Sequence, residues 1–225
     1  MTRKGLIIFA REPLPGRVKS RLAADVGDEA AVELYEAMLL DVLEISRGLT
    51  GIESVVFWDC AAESLPLLAD RFGCRSRRQA DGDLGQRMQA AFADMFAAGF
   101  ESCCIIGSDA PDLPPAWIER AIEILESGQG EVVFGPGSDG GYYLLGLKQI
   151  FPQLFREITW SSPFVLQQSL AAAQAAGAVP ALLPVWHDID TQQDLNSFLI
   201  RSVRLCTANR TSIRASALFR EADYV

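Results

Sequence analysis

Histidine is almost absent from this 225-residue chain, His187 being the only one. Any mechanism that needs two histidines is therefore excluded, and a serine triad would depend on this one residue with no GxSxG elbow to present a nucleophile. Cysteine is sparse and odd in number. Cys60, Cys74, Cys103, Cys104 and Cys206 show no CxxC spacing, so neither a disulfide framework nor a cysteine-based zinc site is supported. No apolar run reaches the roughly 20 residues that span a bilayer. The apolar stretch behind Met1-Thr2-Arg3-Lys4 ends at Ala10 with no small-residue cleavage site, so the cytoplasm is the expected location. Positive charge is also in deficit, with 20 Lys and Arg against 29 Asp and Glu for a net −9. That balance argues against nucleic acid as a partner, because binding a phosphate backbone needs a basic face.

What is present describes a folded α/β chain. Apolar residues make up 49% and charged residues 22%, enough to bury a core and too few charges for disorder. The length predicts one domain over residues 1–200, with a weakly patterned tail over 201–225. Leu205, Leu218 and Phe219 are the tail's main apolar anchors, and a helix packed on the body or on a second subunit would use them. Short apolar runs rich in β-branched residues predict strands over 5–10, 54–58, 103–107, 131–135 and 142–147. Helical spacing predicts helices over 28–47, 64–72, 84–98, 115–126 and 163–176, and from about 192. Strands alternating with helices imply a mostly parallel sheet covered on both faces. Ligands bind such sheets at the carboxyl ends of the strands, so the loops there carry the candidate chemistry.

Four of those loops stand out. Arg11-Glu-Pro-Leu-Pro-Gly-Arg17-Val-Lys19-Ser-Arg21 follows the first strand and reverses the local charge. Gly16 permits a strained turn, while Arg17, Lys19 and Arg21 can converge on phosphate oxygens. A Walker loop is absent, since no GxxxxGK[ST] occurs. Gly107-Ser-Asp109-Ala-Pro-Asp112 follows another strand, and Asp109 there is suited to Mg²⁺, which accepts one or two protein carboxylates. Asp112 precedes Leu-Pro-Pro and reads as a cap or turn residue for the helix beyond. In Asp188-Ile-Asp190-Thr191-Gln-Gln-Asp194, Thr191 and Asp194 fit a capping box. Asp190 would share a metal with Asp109 if it faces it across the sheet edge, and is a loop acid otherwise. Gly135-Pro-Gly-Ser-Asp139-Gly140-Gly141-Tyr142 suggests close approach of backbone to ligand, with Asp139 orienting an acceptor hydroxyl or acting as its base. A tight turn is the plainer reading. A weaker signal, Gln79 to Met88, joins a loop to a helix start that could contact a base. His187 is expected to pack beside Trp186 or to support Asp188.

Together, Pro15 to Leu22, Gln79 to Met88, Gly107 to Leu113, Asp139 to Gly146 and Asp188 to Thr191 resemble a family of bacterial glycosyltransferase-like proteins. That family is similar to the molybdenum-cofactor and 2-phospholactate guanylyltransferases. The resemblance implies a GT-A, nucleotide-diphospho-sugar transferase fold: a three-layer α/β sandwich with a mostly parallel sheet. It further implies that Gly16, Lys19 and Arg21 hold nucleotide phosphates, that Gln79 and Gly85 line a base pocket, and that Asp109 and Asp190 bind Mg²⁺ (or Mn²⁺). Arg11 stands where relatives often carry Lys, and Ser20 where they often carry Thr.

The expected activity is a Mg²⁺-dependent transfer of a glycosyl or nucleotidyl group to a small acceptor, with Lys19, Asp109 and Asp139 as the catalytic candidates. Arg11, Gly16, Arg17, Lys19, Arg21, Gln79, Gly85, Gly140 and Gly141 are the candidates for binding the nucleotide. The partners would be a nucleotide or nucleotide-sugar and the acceptor, with a homo-oligomer compatible. The alternative is a nucleotide-binding module without turnover. A phosphatase-like hydrolase built on Asp188 and Asp190 is disfavoured, because its DxD nucleophile normally follows the first strand and that loop is basic here.

Overall fold

The computed structural model describes residues 2–204 and 209–222, with the side chains of 204 and 219–222 excepted. Its organising element is β1 (Lys4–Arg11), in which Leu6, Ile7 and Ile8 are each 0% exposed. Burial on both faces at about 2 kcal/mol per aliphatic side chain makes this run a central strand and not a half-buried one. β1 pairs in parallel with β2 (Ile52–Asp59) and with β4 (Ser102–Gly107). The short β3 (Ser76–Arg78) extends the sheet beyond β2. On the other side β6 (Tyr142–Leu147) runs antiparallel to β4 and to β5 (Val132–Pro136), and β7 (Pro180–Leu182) closes the edge parallel to β5. The strand order is β3-β2-β1-β4-β6-β5-β7.

Helices cover both faces. Leu6, Ile8 and Val56 pack with α2 (Asp28–Gly48), α3 (Leu65–Phe72) and α5 (Pro115–Ser127), while Ile7, Phe57 and Ile105 pack with α4 (Leu84–Ala97) and α6 (Val165–Ala175). The result is the three-layer α/β sandwich with a mostly parallel sheet that the alternating pattern predicted. Between β1 and α2 lies a seven-residue helix, α1 (Ser20–Val26), too short for periodicity to reveal. α7 (Gln192–Arg204) opens with the expected box: the Thr191 N–H donates to Asp194 Oδ2 at 2.8 Å and the Asp194 N–H to Thr191 Oγ1 at 3.2 Å.

α8 (Arg210–Ala222) lies against α2. Its amino terminus is capped from outside, because buried Asp41 of α2 accepts from the Thr211 N–H at 2.9 Å and hydroxyl at 2.7 Å. Leu218 packs on a cluster that includes Leu34, Met38 and Phe198. Of the other anchors expected in the tail, Leu205 and the Phe219 side chain lie outside the described residues, as does Cys206. Among the described residues no helix is long and apolar enough to cross a membrane.

Candidate functional site

A cleft of about 440 Å³ opens at the carboxyl ends of β1, β2 and β4. Its floor is the sheet edge, including Phe9, Ala10, Ile105 and Ile106; its walls are Val18 to Arg21 at the start of α1, Asp59, Arg87 and Met88 of α4, and Tyr142 and Tyr143 of β6. The strand ends deliver polar atoms here because each chain must leave the sheet through a loop at this edge.

The centre of the cleft is an ammonium between carboxylates. Lys19 Nζ lies 2.8 Å from Asp109 Oδ1 and 3.7 Å from Asp190 Oδ1, and donates to the Ile189 carbonyl at 2.5 Å. Its side chain is 4% exposed, while those of Asp109 and Asp190 are 45% and 43% exposed. Asp109 and Asp190 thus meet across the sheet edge, although 81 positions separate them in the chain. Two features bring them together: β4 delivers Asp109, and the Ile189 N–H donates to the Asp109 carbonyl at 2.9 Å. Lys19 takes a left-handed backbone conformation (φ 50°, ψ 44°) at the start of α1, which costs a non-glycine residue about 1 kcal/mol. Its contacts with three oxygens offset that strain.

The remaining cations of the loop behave differently. Arg21 is exposed and reaches Asp190 Oδ2 at 3.3 Å. Arg11 lines the cleft, with its guanidinium donating to the Arg17 carbonyl at 3.4 Å. Gly16 turns the loop at φ 73°; neither it nor Arg17 is among the residues lining the cleft.

Behind Asp109 sits Tyr35 of α2. Its hydroxyl accepts from the Arg11 N–H at 2.7 Å and from the Ser108 hydroxyl at 3.2 Å, and donates to the Arg11 carbonyl. Burial first, and the Asp109 charge second, push this phenol up to about 12. Tyr35 therefore ties the ends of β1 and β4 together as a neutral group. Helical spacing identifies it as a core residue of α2 and gives no sign that its hydroxyl also reaches the strand ends.

On the opposite wall, buried Gln79 donates through Nε2 to the carbonyls of Ala10 (3.2 Å) and Phe57 (2.9 Å). Its Oε1 accepts from Arg87, which also holds Asp59 Oδ2 at 2.9 Å. Arg87 falls within the weaker Gln79 to Met88 signal, whereas no sequence motif points to Asp59; the signal that finds Asp59 is its position as the last residue of a strand. Gly85 is not among the lining residues. A Cβ there would come within 2.5 Å of the Phe155 carbonyl and 2.8 Å of the Trp160 ring, so this glycine lets α4 approach that segment. Asp83 and Gln86 form a capping box at the start of α4, a structural use for part of the Gln79 to Met88 signal.

The glycine turn stands beside the cleft. Asp139 is exposed and accepts from the Gly141 N–H at 2.9 Å, and neither it nor Gly140 nor Gly141 lines the cavity. Gly140 (φ 90°) lies against Pro163, and its carbonyl accepts from Leu166 N–H. Half-buried Asp188 links turn to cleft: burial raises its carboxyl pKa, and the charges of Asp139 and Asp109 raise it further against the pull of Lys19. His187 stacks obliquely near Trp186 at 6.1 Å between centroids and contacts Ser138 Oγ at 3.2 Å.

Asp112 lies in the turn before α5, one of its two expected roles, but does not cap the helix. α5 begins without a side-chain cap, and Asp112 instead accepts from the Trp186 indole at 3.2 Å and from Arg201 Nε at 3.1 Å. Leu113-Pro114-Pro115 carries the backbone into the helix without it, because proline supplies the opening geometry and needs no N–H partner. Among the described residues, no group of three or more His, Cys, Asp or Glu side chains is placed to hold a metal ion.

Residues 47–162 match the model of a family described as "Uncharacterized protein conserved in bacteria (DUF2064)". A search of the curated proteins returns no match. Among solved structures, a provisionally assigned nucleotide-diphospho-sugar transferase from Desulfovibrio desulfuricans G20 is similar with a TM-score of 0.88 and 29% identity. The match covers 100% of this chain and 96% of that one. CMP:2-keto-3-deoxy-manno-octonic acid synthetase complexed with CTP follows at TM-score 0.59 and 14% identity, covering 91% of this chain and 99% of that one. Rv0371c of Mycobacterium tuberculosis H37Rv, in complex with manganese, gives 0.52 and 16%, with 88% and 97% covered. The chain shares their nucleotide-diphospho-sugar transferase-like fold.

Proposed function

The chain belongs to this bacterial family, and on that premise we propose that it is a divalent-metal-dependent transferase whose cleft binds a nucleotide or nucleotide-diphospho-sugar and passes a nucleotidyl or glycosyl group to a small acceptor. The observation that carries this reading is the meeting of Asp109 and Asp190 at one cation, Lys19 Nζ, on the rim that also holds Arg11 and Arg21.

The donor set fits a hard divalent ion. Two carboxylates and the Ile189 carbonyl are all oxygen ligands, already gathered around a positive charge, and Mg²⁺ or Mn²⁺ commonly takes its other ligands from phosphates and water. When bound, such an ion supplies neutralisation of phosphate charge. The manganese complex of the Rv0371c neighbour supports the choice of metal.

The chain's own residues do the rest. Arg11 and Arg21 hold phosphate oxygens at the rim, where a guanidinium offers paired donors. Lys19 adds a point charge for the leaving group, and Gly16 and Arg17 shape the loop that presents these cations. Gln79 and Gly85 act on the base side by fixing the ends of β1 and β2 and the approach of α4, since the Gln79 amide is already spent on backbone carbonyls. Asp139, with Gly140 and Gly141, assists the acceptor from the turn beside the cleft. In nucleotidyl transfer the acceptor attacks the α-phosphorus of a triphosphate and pyrophosphate leaves; in glycosyl transfer a nucleoside diphosphate leaves. The test is product analysis with NTPs and nucleotide-sugars in Mg²⁺. Release of either product over background supports the transferase, and its identity separates the two reactions. Ligand binding with neither product would establish a binding module instead.

A further inference from the structure

Lys19 is an unusual phosphate ligand, because its ammonium is not free to meet one. It is buried, it spends its charge on Asp109, Asp190 and the Ile189 carbonyl, and its backbone is held in the left-handed region. The two carboxylates stay nearly half exposed to the cleft, so solvent and ions reach them while the ammonium lies behind. We infer that Lys19 is an exchangeable internal counter-ion: it holds the carboxylate pair together without ligand, and vacates it when a divalent cation takes the same oxygens, most readily when a phosphate chain enters with the ion. This inference rests on the proposed metal site.

The physical reason is charge. A divalent ion using the same oxygens would lie within a few ångströms of a fixed ammonium, and that repulsion weakens binding by roughly tenfold or more at the effective dielectric of a protein edge. Metal alone would therefore bind weakly. A lysine has a flexible four-carbon stem, and relief of the left-handed strain at residue 19 favours its departure. Once displaced, the ammonium is available to the phosphates beside Arg21. Each ligand then prepares the site for the other, and by linkage the enhancement is reciprocal. Neither Arg11 nor Arg21 can substitute, as neither has its charged group buried between the two acids.

The test is metal binding, read from the free Mn²⁺ signal in electron paramagnetic resonance with no nucleotide present. Lys19→Met removes the charge and keeps the length of the side chain. It should bind Mn²⁺ roughly tenfold tighter than the wild type, with circular dichroism confirming its fold; equal or weaker binding overturns the inference. A second measurement needs no variant. Lys4, Lys19 and Lys148 are the only lysines, so reductive methylation followed by mass spectrometry resolves each one. Lys19 of the wild type should be protected in chelator and become reactive at saturating Mn²⁺. Continued protection under those conditions overturns the inference even if the variant does not fold. Product analysis remains separate and is read on the wild type: tighter Mn²⁺ binding by Lys19→Met with no product released from any nucleotide by the wild type would sink the transferase and leave the counter-ion exchange standing.

Discussion

Two acid–cation clusters sit at the same edge of the sheet and do opposite things. At one, Asp112 is 4% exposed and its two oxygens are taken by the Trp186 indole and Arg201. At the other, the cation is buried and the carboxylates of Asp109 and Asp190 face the cleft at 45% and 43% exposure. A buried acid whose acceptors are all used is a fastener, worth most when its partner would be stranded without it. A buried cation under open carboxylates leaves acceptors for something else. The direction of burial, more than the presence of an ion pair, separates structure from function here.

Breaking the first cluster should have the largest effect. Asp112→Ala strands Arg201 and the indole and should cost about 3–5 kcal/mol of stability, measured by urea unfolding, while leaving turnover per folded molecule unchanged. Loss of turnover at full stability would reverse the assignment. At the second cluster, Asp109→Asn should lower turnover by roughly 100-fold and cost about 1–3 kcal/mol of stability, because buried Lys19 keeps Asp190 and the Ile189 carbonyl but loses one of its two counter-charges. Next is Gly85→Ala. Its methyl meets the Phe155 carbonyl and Trp160, so a loss of about 1–3 kcal/mol is expected, seen as a lower midpoint in a thermal melt.

A smaller effect is alkaline. The Tyr35 phenol titrates near 12 in the native state against 10 when unfolded. Between those values the native state binds more protons than the unfolded state, so stability falls as pH rises through that window. Tyr35→Phe should flatten that slope in unfolding curves taken between about pH 10 and 12. An unchanged slope would mean that the phenol is not buried as described. The smallest effect is expected for Arg21→Ala. Arg21 is 75% exposed, so its loss should change stability by less than about 0.5 kcal/mol and weaken nucleotide binding a few-fold in a titration.

Much of the fold was legible because burial on both faces writes continuous apolar runs, as in Leu6 to Ile8 and Cys103 to Ile106. The antiparallel course of β6 was not, since Tyr142 to Leu147 reads like any buried strand and its direction is set by β4 and β5. Three-residue strands such as β3 and β7 are too short to show a period. At the site, the loops were legible from their charges and glycines, but the partners were not. Which of Arg17, Lys19 and Arg21 turns inward depends on Asp190, some 170 residues away in the chain. Asp112 reads as a cap because it precedes a proline pair, and only Trp186 and Arg201, brought in by tertiary packing, reveal its use.

The most direct test of the account is calorimetric titration of NTPs and nucleotide-sugars, with and without Mg²⁺, into the wild type and Asp109→Asn. Metal-dependent binding of at least one ligand to the wild type, lost or strongly weakened in Asp109→Asn, is the predicted result. Binding that ignores both the metal and the substitution, or no binding at all, would contradict it.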